Sequence, residues 1–173
     1  SVSYLVALAE GLSFGLLAEH LFPLGWHAEA PAPGEEERGL LGRLRHRGSA
    51  GNLSLSVACG RFADILHAAD LIIGLAGTAN EQAVGLGKPV VAFPGRGAQF
   101  TAGFLRSQKR LLGGALSVVE REPGAAAREI LAILADASRR EAMAAAGRER
   151  MGPPGGAARI AAEIRRLTLS VPG

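Results

Sequence analysis

From about residue 53 onward, short apolar runs alternate with segments of helical periodicity. Residues 53–57 alternate with period two, as a half-buried strand does. Phe62, Ile65, Leu66 and Ala69 recur at helical spacing and predict a short helix over 62–69. Residues 71–73 and 89–93 are continuously apolar and read as buried strands, and 116–119 as a last one. Between and after them the pattern predicts helices over 79–86, 99–112, 124–135, 138–150 and 157–167. The first fifty residues are less regular. They predict a helix over 3–11, a strand over 13–17, and a loop over 22–34, where Pro23, Pro31, Pro33 and Gly34 fall. Glu35, Glu36 and Glu37 then precede Leu40, Leu41 and Leu44, with Arg43, Arg45, His46 and Arg47 at the far end. Acid first and base last is the order a helix dipole favours, so a helix is predicted there.

Strands that alternate with helices and are apolar on both sides imply an α/β fold, a parallel sheet with helices on both faces. In such sheets ligands bind beyond the carboxyl ends of the strands. The loops after Val57, Ile73 and Phe93 are therefore expected along one edge. The length of 173 residues suits a single domain spanning 1–173.

Composition narrows the picture. The chain is 48% hydrophobic and 20% charged, with a mean hydropathy of +0.20, which excludes a disordered polymer. The net charge of +3 comes almost wholly from arginine. In the C-terminal segments Arg139, Arg140, Arg148, Arg150, Arg159, Arg165 and Arg166 are interleaved with Glu141, Glu149 and Glu163, the pattern of a solvated, ion-paired face. The basic region has no aromatic side chains to stack bases, so nucleic acid is not an expected partner. Cys59 is the only cysteine, which excludes an intramolecular disulfide and a cysteine-based zinc site. His20, His27, His46 and His67 are scattered without metal-type pairing, so no metal is expected. No stretch is long and apolar enough to span a bilayer, and the N-terminal residues lack the basic leader of a signal peptide. A reducing, cytoplasmic setting is expected.

The chemistry concentrates around two strand ends. After 71–73 come Gly74, Gly77, Thr78, Asn80 and Glu81. The glycines permit a sharp turn and a close approach of the backbone to a ligand. Thr78 or Asn80 would cap the following helix, whose free N–H groups favour a diphosphate. Glu81 in its first turn could accept from the vicinal hydroxyls of a ribose, or complete a capping box with no ligand at all. After 89–93 come Arg96, a phosphate-pairing cation or an exposed turn residue, and Gln99. Phe62 and Ala63, after Cys59-Gly60-Arg61, could meet the edge of a flat base, or Phe62 could pack in the core.

Together, FADILHAADLIIGLAGTANEQAVGLGKPVVAFPG and the following AQF resemble the C-terminal, donor-binding half of GT-B glycosyltransferases. The resemblance is to lipid-A-disaccharide synthase and its uncharacterised bacterial relatives, and GRERMGPPGGAARIAAEI is similar to the tail of those relatives. It is dense over residues 53–114 and thinner to 167. It implies a Rossmann-like fold with a UDP-type nucleotide sugar in the cleft between two such domains. Phe62 and Ala63 would face the base. Gly77, Thr78 and Ala79 would receive the diphosphate, and Glu81 the ribose hydroxyls. Arg96 would steady the leaving diphosphate. Gln99 would touch the donor sugar, beside Ala98 where relatives carry Asp. The transfer implied is metal-independent and needs no cofactor, its developing charge being stabilised by helix N–H groups and a cation.

The resemblance also implies that the first strand of this domain and the N-terminal acceptor domain lie outside the sequence, so that this chain alone is inactive. A lipid-linked acceptor would bring the protein to the inner membrane surface, and an uncovered sheet edge would favour homo-oligomers. The catalytic base is not assigned, since Asp64, His67 and Asp70 surround a short helix as caps or solvated groups. Two other readings share the fold: a non-catalytic oligomerisation or regulatory module with an empty pocket, and part of a UDP-sugar epimerase.

Overall fold

The computed structural model describes residues 2–48, 51–75, 77–97 and 101–169. The fold class is α/β, and the chain divides into two compact units, Ser1–Ala69 and Asp70–Gly173.

The first unit contains β1 (Ser3–Leu8), α1 (Phe14–Leu21), β2 (Trp26–Glu29), β3 (Leu40–Gly48), β4 (Gly51–Cys59) and α2 (Phe62–Ala68). Its sheet runs β1-β4-β3-β2, with β1 parallel to β4 and the other two pairings antiparallel. The register separates two faces. Tyr4, Leu55, Leu44 and Ala28 stand side by side on one, Ser3, Ser54, Arg45 and His27 on the other. On the apolar face a Cβ at Gly42 would lie 2.5 Å from the Phe14 ring, so this glycine is the seat on which α1 rests.

Four predictions for this unit are corrected. Residues 3–11 are not helical, because six of them pair with β4 as a strand. Residues 13–17 are not a strand. The Ser13 hydroxyl accepts from the Leu16 N–H at 3.2 Å and caps α1. The acid-then-base order over 35–47 does not make a long helix. Glu36–Arg38 is one 3-10 turn, and the arginines lie on a strand that reaches back to the acids. Arg43 forms a bidentate pair with Glu35 at 2.5 and 2.7 Å, and Arg45 meets Glu29 at 2.8 Å. The Arg43 hydrogen bond, helped by the Ala32 N–H, holds the Glu35 carboxyl below its ordinary range. The expected loop over 22–34 contains a 3-10 turn and β2, whose Trp26 packs tilted on His46 with centroids 5.5 Å apart.

The second unit follows its predicted pattern closely. It contains β5 (Ile72–Ile73), α3 (Gly77–Gly85), β6 (Val90–Ala92), α4 (Ala102–Leu112), β7 (Leu116–Val118), α5 (Pro123–Ala135), α6 (Ala137–Met151) and α7 (Gly156–Leu169). The three strands form a parallel sheet in the order β5-β6-β7. Val90, Val91 and Ala92 are wholly buried, as a strand covered on both faces should be. Val91, Ile133 and Met143 form one core cluster with Leu71, Val119 and Ile130 against it. α6 packs closely on α3, since a Cβ at Gly147 would lie 2.6 Å from the Val84 carbonyl oxygen.

Polar ties join α5 to its neighbours, and further ion pairs lie along single helices. Glu129 accepts from Ser117 and pairs with Arg139, joining α5 to β7 and α6. Its carboxyl is held below the ordinary range, first by the Ser117 hydroxyl and then by Arg139. Lys109 donates to the Leu116 carbonyl, and partial burial lowers its pKa. Arg148 pairs with Glu141 and Arg166 with Glu163, as the interleaved charges predict. Among the described residues no helix is long and apolar enough to cross a membrane.

Candidate functional site

β5 and β6 run parallel, so the loops after Ile73 and Ala92 leave from the same edge of the sheet. The Gly74 N–H donates to the Val91 carbonyl at 3.0 Å, which extends the ladder to that edge. β4, whose end was expected there too, belongs to the other sheet. α3 starts three residues past Gly74, and its first turn carries Gly77, Thr78 and Ala79.

The helix begins earlier than its sequence suggests. Gly77 is already helical, so Thr78 and Asn80 sit inside the helix instead of capping it, and Glu81 lies beyond the first turn. The capping-box reading of Glu81 fails for the same reason. Its half-buried carboxylate makes no hydrogen bond or ion pair among the described residues, and neither does the exposed Arg96. Thr78 and Glu81 line a cleft of about 380 Å³ together with Gln82, Gly85, Met151, Gly152, Pro153 and Pro154.

Asn80 has a different task from the one its sequence position suggests. It is wholly buried, and its Nδ2 donates to Gln108 Oε1 at 2.9 Å. Gln108 Nε2 in turn donates to the Gly77 carbonyl at 3.0 Å. This amide pair ties α4 to the first residue of α3 and so fixes where that helix starts. Asn80 Oδ1 faces Gly74, where a Cβ would lie only 1.8 Å away. Gly74 is therefore required by a packed side chain, while a Cβ at Gly77 would meet only ordinary contact with Phe104 at 3.7 Å.

Phe62 and Ala63 open α2 in the first unit. Phe62 is 38% exposed, so core packing does not account for all of its surface. Asp64 pairs with Arg61 at 3.4 Å. Cys59 is half-buried on β4. Ala98 and Gln99 lie outside the described residues. The structure thus brings Gly77, Thr78, Ala79 and Glu81 together on one helix and puts Arg96 in the loop after β6.

Sequence reasoning missed Gln108 and the segment 151–154, a linker formed by the last residue of α6 and the residues that follow it. Gln108 carries a signal, because it interrupts the buried stripe Leu105, Gln108, Leu112 at helical spacing. The linker carries less: Met151-Gly152-Pro153-Pro154 reads simply as a helix stop. No known protein family, curated protein or solved structure matches the chain.

Proposed function

We propose that this chain is the nucleotide-sugar-binding part of a glycosyltransferase, taking a UDP-type donor at the α3 edge of the parallel sheet in a Rossmann-like arrangement. The observation that carries the reading is the cleft flanked by Thr78 and a Glu81 without a partner among the described residues, beside a helix that starts just past a parallel strand. The N–H groups of the first α3 turn have no earlier carbonyls in their helix and suit a diphosphate. The Glu81 carboxylate, one turn further on, suits the two hydroxyls of a ribose. The exposed charge of Arg96 on the neighbouring loop would balance the leaving diphosphate. Acceptor and catalytic base would come from a partner domain, with a lipid-linked acceptor the favoured class.

The test is a thermal shift of the chain with UDP, ADP and GDP, with Glu81→Ala in parallel. A nucleotide at a hundred times its dissociation constant stabilises by about 2.7 kcal/mol, enough to move the midpoint by several degrees. A UDP-selective shift that disappears in Glu81→Ala is expected. Equal midpoints with and without all three nucleotides would overturn the reading.

A further inference from the structure

We propose that the 151–154 linker is the second wall of the Glu81 site, holding the ring face of a ribonucleoside diphosphate whose ribose hydroxyls meet Glu81. The inference rests on the donor-site reading above and adds to it the residues that would select the base.

Thr78, Glu81, Gln82 and Gly85 stand at i, i+3, i+4 and i+7, so they form one stripe along α3. The linker lines the same cleft of about 380 Å³, a volume in the range of small-molecule sites. The two walls differ in chemistry. α3 presents a hydroxyl, a carboxylate and a carboxamide. The linker presents a thioether and two pyrrolidine rings, with no charge. A ligand that suits both has hydroxyls on one side and a flat ring on the other, which describes a ribonucleoside.

The linker is also stiff. Gly152, at a φ of 70°, ends α6 with its N–H on the Arg148 carbonyl at 2.9 Å. Pro153 and Pro154 have little backbone freedom. Arg159, from the first turn of α7, donates to the Pro154 carbonyl at 2.8 Å and to the Pro153 carbonyl at 3.1 Å. It lines no part of the cleft and acts as a positioning residue for the wall. A wall held this way has little freedom left to lose on binding.

The experiment is calorimetric titration of the full chain with UDP and with 2′,3′-dideoxy-UDP, using wild type, Glu81→Gln, Met151→Ser and Arg159→Met. Wild type binds UDP more tightly than the dideoxy analogue. Glu81→Gln weakens UDP alone, because only UDP carries the hydroxyls it meets. Met151→Ser weakens both ligands in equal proportion, because it alters the ring wall. Arg159→Met weakens both by about two- to tenfold, the cost of ordering a freed segment. It also speeds amide exchange at Gly152, whose N–H is held by the Arg148 carbonyl, while leaving α3 protected. Should Arg159→Met unfold the helix, Met151→Ser decides alone. Wild-type affinity in both linker variants, with Glu81→Gln impaired, would overturn the second wall and leave the donor site standing. No UDP binding by wild type would overturn both.

Discussion

Gly74→Ala tests how tightly the start of α3 is fixed. A Cβ there would lie 1.8 Å from Asn80 Oδ1 and 2.9 Å from its Cγ. Carbon and oxygen meet favourably only at about 3.3–3.6 Å. Asn80 is fully buried, and Gln108 Oε1 holds its Nδ2 at 2.9 Å, so the side chain yields only by breaking that bond. One net hydrogen bond is worth about 0.5–1.5 kcal/mol, and a buried polar atom left without a partner costs about 1–3 kcal/mol more. Gly74→Ala should therefore destabilise the second unit by about 2–4 kcal/mol. Asn80→Ala breaks the same bond and should cost a similar amount. In the double variant the new methyl occupies the room that Oδ1 leaves, so Gly74→Ala should then add no more than about 0.5 kcal/mol. The assay is urea unfolding followed by far-UV circular dichroism for wild type, both single variants and the double. The slopes are compared first, to confirm that the same surface is exposed in each. If the two costs simply add, Asn80 is not what excludes a side chain at 74 and the account of this helix start is wrong.

Two further outcomes are expected. Gly42→Ala pushes a methyl into the Phe14 ring and should cost about 1–3 kcal/mol, as overpacking does; hydrogen exchange should quicken in β3 and β4 and stay unchanged in α3–α6, and unaltered exchange in β3 would contradict the seat assigned to α1. Glu129 has a folded pKa below its unfolded value, so its contribution is complete above about pH 4.3 and is lost as pH falls through the folded value. Glu129→Gln should lower stability near neutrality and flatten the loss that wild type shows as pH falls below about 4.3, and melts that run parallel to wild type would show that the Ser117 and Arg139 contacts carry no such linkage.

The second unit was legible because its strands are short, continuously apolar and separated by segments of clear helical period. Val90, Val91 and Ala92 can only be buried on both sides, and the parallel sheet follows. The first unit misled the reading where one local signal serves two structures. Residues 3–8 are too few to distinguish a period of 3.6 from a period of two, and it is pairing with distant β4 that decides. The acids at 35–37 and the arginines at 43–47 would complement a helix dipole. They equally suit a turn followed by a strand that folds back, and the Arg43–Glu35 pair shows which occurs. At the candidate site, Gly77, Thr78 and Glu81 were legible as a group. The tasks of Gly74 and Asn80 were not, because both depend on Gln108, 28 residues beyond Asn80 along the chain.

The two units are also optically unequal. The only tryptophan, Trp26, and the only tyrosine, Tyr4, both lie in Ser1–Ala69. Asp70–Gly173 contains neither, yet it holds five of the seven α-helices among the described residues. Intrinsic fluorescence near 340 nm is therefore a reporter for β2 and its neighbours, and ellipticity at 222 nm is weighted towards α3–α7. Where the two signals part company along a denaturant axis, the separation measures how independently the unit that carries Glu81 stands from the one that carries Trp26.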